Sequence, residues 1–204
     1  MNRDTRSLRL AGPAGEIEVE IDDANPAPRG VAVLCHPHPL HGGNMDNKVV
    51  QTLARSFVQL GYRAVRFNFR GVGASQGQWD EGRGEVDDAL AVIASQRVAG
   101  LPLALGGFSF GAFVAARAAA ALAAQAPVER LVLVGPAAGR FDMPAVPADT
   151  LVLHGETDEV VPLSATLDWA RPQALPVIVL PGVGHFFHGQ LGVLKSQVIQ
   201  AWHR

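Results

Sequence analysis

Apolar positions along the chain fall into two patterns that take turns. Short, nearly continuous apolar runs read as strands at 30–35 (GVAVLC), 62–69 (YRAVRFNF), 102–107 (PLALGG), 130–135 (RLVLVG), 150–154 (TLVLH) and 176–180 (PVIVL). Runs without polar alternation are those of strands covered on both faces. Between them the apolar residues recur at helical spacing. Residues 47–60 place Val50, Leu53, Phe57 and Leu60 on one stripe, and Gly61 ends it. Residues 84–97 align Val86, Leu90 and Ile93, with Glu85, Asp87 and Asp88 near the N-terminal end. Residues 110–124 are mostly alanine, which suits a helix packed closely against a sheet. Residues 189–203 bring Leu191, Leu194, Val198 and Trp202 into register.

Ahead of this series, residues 7–11 and 16–22 read as two strands joined by a Gly-Pro turn. The second, EIEVEID, alternates strictly, as a half-exposed edge strand does. The whole pattern predicts an α/β fold. It is a mostly parallel, twisted sheet of about eight strands, with an antiparallel edge at the N-terminus and helices on both faces. No repeat, low-complexity tract or linker interrupts the 204 residues, so 1–204 is read as a single domain. In such sheets ligands meet the carboxyl ends of the strands.

Composition narrows the function. With 48% hydrophobic and 18% charged residues the chain has the make-up of a folded domain. The formal net charge is −2 and no run of lysine or arginine occurs, which argues against nucleic acid and anionic membrane surfaces as partners. The opening MNRDTRSLRL lacks the apolar core of a signal peptide. No apolar stretch reaches the roughly 18 residues of a membrane span. A cytoplasmic enzyme is the expectation. Cys35, the one cysteine, cannot close an internal disulfide and is expected to be a small buried residue.

The chemistry is concentrated at three strand ends. In LPLALGGFSFG (101–111) a strand runs into Gly107-Phe108-Ser109-Phe110-Gly111 and a helix follows at once. Strand, tight turn and helix lift the serine above the sheet edge, and crowding leaves room only for glycine two positions to each side. Ser109 is therefore the candidate nucleophile. Asp158 lies just beyond the strand at 150–154, and His185 just beyond that at 176–180. A serine hydroxyl needs a base to take its proton, and the imidazole needs an acid to fix its tautomer and balance its charge. Asp142 and His188 are the rival acid and base; Asp158 and His185 are preferred.

An oxyanion also needs donors. The backbone N–H of Phe110, after the nucleophile at a helix start, is one. The loop His36-Pro37-His38-Pro39-Leu40-His41-Gly42-Gly43 should supply the other. Its prolines carry no N–H, which leaves His38, Leu40 or a later residue, and His38 is chosen. The three histidines there have no nearby carboxylate or cysteine to complete a metal site, so no metal is expected. His154 reads as structural. Arg70 is open between binding a substrate carboxylate and a buried ion pair.

With CHPHPLHGG, FNFRGVGAS, GGFSFG, LVLHGETDEVVP and PGVGHFFHG in that order, the chain resembles the small, lidless α/β hydrolases of the dienelactone hydrolase-like group. The resemblance extends from residue 16 to the end, and the order Ser109, Asp158, His185 is that of the α/β-hydrolase fold. It implies hydrolysis of a small-molecule carboxylic ester with no cofactor. Dienelactone hydrolases use a cysteine nucleophile where this chain has Ser109, which argues against dienelactone as the substrate. Hydrolases of this architecture often carry a helical cap after the strand read here at 130–135. Only Pro136 to Asp149 is available, and Pro136, Pro144 and Pro147 discourage a long helix. The loop from Gly71 to Gly84, with Trp79 expected to be exposed, is too short to serve as a lid. The expectation is an open-sited serine esterase. A thioesterase or small peptidase with the same triad is the nearest alternative. A silent binding module on the same fold is the alternative of a different class. The natural substrate and oligomeric state are not legible.

Overall fold

The computed structural model describes residues 5–202. The first four residues of the N-terminal reading and position 203 of the last helix lie outside the described residues. The strands are β1 (Arg6–Gly12), β2 (Gly15–Asp22), β3 (Gly30–Cys35), β4 (Tyr62–Phe67), β5 (Leu103–Phe108), β6 (Arg130–Val134), β7 (Leu151–Gly155) and β8 (Val177–Leu180). They form one eight-stranded sheet in the order β1-β2-β4-β3-β5-β6-β7-β8. β2 is antiparallel to both β1 and β4, and all other pairs are parallel.

The helical stripes bury as their spacing requires. α1 (Lys48–Gln59) and α5 (Leu191–Trp202) cover one face, where Val50, Leu53, Phe57, Leu194 and Val198 join a core with Leu34, Phe108 and Leu153. α2 (Arg83–Gln96) and α3 (Phe110–Leu122) cover the other, packing Ala89, Ile93, Val114 and Ala118 on Val33, Val65, Leu105 and Leu133. The alanines of α3 let its backbone lie close to the sheet. Cys35 is buried in this second layer and desolvation pushes its thiol pKa up.

Three expectations need correction, and one helix went unread. β2 is interior and β1 is the edge. The alternation in β2 is real, but its polar side meets charge rather than water. Arg66 Nη2 donates to Glu20 Oε2 at 2.6 Å, and Glu18 Oε2 accepts from Asn68 Nδ2 at 2.7 Å and from the Ala74 N–H at 2.9 Å. A period of two reports that one face differs from the other, not what covers it. The strand read at 62–69 stops at Phe67. Beyond it, the Phe69 N–H donates to His36 Nε2 at 3.0 Å and the Asn68 side chain accepts the Met45 N–H at 2.9 Å. Trp79 is half-buried, its ring 4.5 Å from that of His38 and 5.0 Å from that of Phe110. Finally, α4 (Leu163–Ala170) was not anticipated; its eight residues bury only Thr166 and Ala170, too little for a periodic signal.

No helix spans 136–149, where an isolated bridge joins Ala138 and Phe141. Among the described residues no helix is long and apolar enough to cross a membrane.

Candidate active site

The site is built at the carboxyl ends of β5, β7 and β8. Ser109 joins β5 to α3 with φ 56° and ψ −119°, a left-handed backbone that a side chain rarely adopts. Its neighbours explain the flanking glycines. A Cβ on Gly107 would lie 2.1 Å from the Gly111 carbonyl oxygen, and one on Gly111 would lie 2.2 Å from that of Cys35. Serine at the start of a helix ordinarily accepts a hydrogen bond from the first turn. Here Ser109 occupies the cap position of α3 and makes no such bond. Its hydroxyl points instead to His185, with Oγ 3.1 Å from Nε2.

His185 Nδ1 lies 2.7 Å from Asp158 Oδ2. This pairing makes Nδ1–H the donor to the carboxylate and leaves Nε2 to accept the Ser109 hydroxyl proton. The other carboxylate oxygen of Asp158 accepts the Val160 and Val161 N–H groups at 2.9 and 2.7 Å. Burial opposes the charge on Asp158, but the His185 hydrogen bond and these two amides outweigh it and hold the carboxyl below its ordinary value. The backbone N–H groups of Phe110 and His38 make no hydrogen bond among the described residues. Ser109, His185 and Asp158 thus form one hydrogen-bonded series, with two free donors on the flanking backbone.

A family model described as serine aminopeptidase, S33 matches residues 26–144, more than half of the chain. The chain belongs to this α/β-hydrolase family. A solved lidless α/β serine hydrolase from Xanthomonas campestris is 39% identical, with a TM-score of 0.91 over 100% of this chain and 96% of that one. An α/β serine hydrolase homologue from Coxiella burnetii is also 39% identical, with a TM-score of 0.83 over 96% of each chain. An uncharacterized protein of Rickettsia prowazekii is 33% identical over 194 residues, covering 86% of this chain and 79% of its own length.

Two clefts open beside Ser109 in this hydrolase. One, of about 330 Å³, runs past His41, Gly43, Asn47 and Phe186; the other, of about 360 Å³, past Phe110, Ala137, Phe141 and Val161. His38, His41, Arg140 and Val160 border both. The His38 ring packs among Trp79, Phe110 and Phe141, and its Nδ1 accepts the Leu40 N–H at 3.3 Å. Burial, then the nearby His41 and Arg140, lower its pKa.

The remaining candidates resolve one by one. Asp142 pairs with Arg117 at 2.8 Å and its side chain is 95% exposed, so it takes no part in the site. His188 lies in a neighbouring groove with Asn44 and Lys48. Arg70 holds Asp88 through two nitrogens, at 3.0 and 2.8 Å, and is the buried ion-pair partner of the two readings. His36 donates from Nδ1 to the Pro37 carbonyl at 2.7 Å while Nε2 accepts the Phe69 N–H, and desolvation lowers its pKa to about 4. No group of side chains able to hold a metal occurs among the described residues. His154, read as structural, is buried, with Nε2 2.9 Å from the Val161 carbonyl and Nδ1 3.2 Å from Thr166 Oγ1. Its Nε2 also comes within 3.4 Å of Asp158 Oδ2, a contact that nothing in the sequence pattern indicated. Sequence reasoning likewise passed over Arg140, Asn47 and Phe186. They line the site from turns and from one helix cap, where no periodicity marks them.

Proposed function

We propose that this chain is a serine esterase that cleaves small, soluble carboxylic esters through an acyl-enzyme on Ser109. The observation that carries the reading is the hydrogen-bonded series Ser109 Oγ, His185 Nε2, His185 Nδ1 and Asp158 Oδ2 at a strained turn. His185 accepts the hydroxyl proton as Oγ attacks the ester carbonyl. The tetrahedral oxyanion accepts hydrogen bonds from the Phe110 and His38 N–H groups, whose freedom from other partners supports this role. His185 then passes its proton to the departing alkoxide, and the alcohol leaves. Water enters, gives a proton to His185 and attacks the acyl carbon. Collapse of the second intermediate returns the proton to Ser109 Oγ and frees the acid. Asp158 stays ionised throughout and stabilises the imidazolium.

No step calls for a cofactor. We place the enzyme in the cytoplasm and expect neither nucleic acid nor membrane as a partner. The matched family carries "aminopeptidase" in its description, which favours a second reading, a peptidase with the same triad. That substrate brings an α-ammonium group. Neither cleft is lined by an aspartate or glutamate to receive it, and Arg140 borders both. Ester cleavage is the better fit.

The test is labelling with a fluorophosphonate, then kcat/KM on matched p-nitrophenyl ester, thioester and anilide substrates. The expected result is one label per chain, on Ser109, with the ester turned over fastest. An unlabelled protein overturns the serine mechanism, and a faster thioester or anilide reassigns the bond cleaved.

A further inference from the structure

We propose that the site selects esters bearing a second, anionic group, a carboxylate held by Arg140 with His38 beside it. The inference rests on the ester-hydrolysis reading and adds the substrate class. Arg140 borders both clefts at Ser109. Its Nη2 donates to the Val160 carbonyl at 3.0 Å, which pins the guanidinium at the rim. Other arginines near the strand ends are already matched with acids, Arg66 with Glu20 and Arg70 with Asp88. Arg140 has no carboxylate partner among the described residues.

The walls point the same way. The chain carries 19 acidic residues and a net charge of −2, yet none of those acids lines either cleft. Asp158 is the nearest in function, but it is buried behind His185 and its lone pairs are taken by protein donors. With Nδ1 accepting from Leu40, the neutral His38 ring presents Nε2–H as a donor that has no protein partner. His38, His41 and Arg140 border the same two clefts, so an anion seated beside Ser109 meets more than one of them. A guanidinium pre-positioned by one hydrogen bond retains donors for a carboxylate, the anion its geometry fits best.

The experiment compares anionic and neutral esters in two arms. One puts the charge on the acyl side, p-nitrophenyl hydrogen adipate against its methyl ester. The other puts it on the leaving group, 4-acetoxybenzoate against methyl 4-acetoxybenzoate. The anionic-to-neutral ratio of kcat/KM is measured for wild type, Arg140→Lys, Arg140→Gln and Arg140→Glu. Comparing that ratio between proteins cancels intrinsic reactivity. In at least one arm it should fall about fivefold in Arg140→Gln, fall further in Arg140→Glu and be partly kept in Arg140→Lys. Molar salt should shrink the wild-type preference. The arm that responds shows which side of the ester carries the anion. A ratio indifferent to residue 140 in both arms, with both esters turned over, overturns this inference alone. If wild type turns over neither ester, the ester reading fails and this inference falls with it.

Discussion

Gly111 lies directly against the Cys35 carbonyl, so close that a methyl group in its place would sit 2.2 Å from that oxygen and 2.5 Å from that of His36. The first turn of α3 is thereby seated on the end of β3, where the loop carrying His38 begins. The approach sets the distance between the two backbone N–H groups assigned to the oxyanion.

Gly111→Ala should therefore harm stability and catalysis together. Overpacking against backbone costs about 1–3 kcal/mol, and the neighbouring carbonyls cannot swing aside as a side chain would. The denaturation midpoint in urea should fall, and kcat should fall more than the loss of folded protein explains. Wild-type values for both would show that α3 and β3 can separate freely.

The two candidate acids give a clean contrast. Asp158→Asn keeps the shape but removes the charge, and its amide favours the wrong imidazole tautomer, so kcat should drop by about four powers of ten. Asp142→Asn alters a side chain that is 95% exposed and should stay within twofold of wild type. Steady-state rates on one activated ester are enough, and equal losses would remove Asp158 from its assigned role.

How far the sequence disclosed all this follows from the kind of signal each residue gives. Ser109 was legible because the crowding around its turn needs glycine at two fixed positions, and a steric constraint at fixed spacing leaves a local mark in the sequence. His185 and Asp158 were legible as strand-end residues in the right order. The strands with continuous apolar runs were placed to within one or two residues. What failed depended on partners distant in sequence. Glu20 looks solvent-facing until Arg66, 46 residues on, is seen to meet it. Trp79 stands among glycines and charges, and only the folded chain brings His38 and Phe110 to it. His154 gave no sign of Asp158 because four residues in a turn have no fixed geometry.

Acid should destabilise the fold well before the carboxylates protonate, and His36 supplies a reason. Its pKa is about 4 in the folded chain against 6.5 for an ordinary histidine. Between those values the unfolded chain binds the proton and the folded one does not, so stability is full above about pH 6.5 and declines toward pH 4. The effect is at most on the order of 3 kcal/mol. His154, also lowered by burial, acts in the same direction, whereas Asp158, lowered as an acid, adds its loss only below the ordinary carboxylate range. Urea midpoints at pH 7, 5.5 and 4.5 should fall steeply in wild type and less steeply in His36→Gln. Parallel curves would remove His36 as the source.

Acyl length should matter little. No helix covers the clefts between 136 and 149, and Leu40 and Phe186 remain 66% and 45% exposed. A methylene that stays wet gains little of the roughly 0.8 kcal/mol available on burial. Across p-nitrophenyl esters from acetate to palmitate, kcat/KM should rise modestly and level off by the medium chains, with no jump at a lipid–water interface. A sustained rise to the long chains would require an acyl tunnel.

Ser109 is a non-glycine residue held at a backbone angle where glycine would be at ease. A conformation of this kind costs about 1–3 kcal/mol, and the surrounding sheet and helix must hold it in place. Selection for thermal robustness alone would then favour glycine at 109 and discard the hydroxyl. Heat-resistant descendants obtained without an activity screen should accumulate changes at this turn, so durability and turnover pull against each other at a single residue.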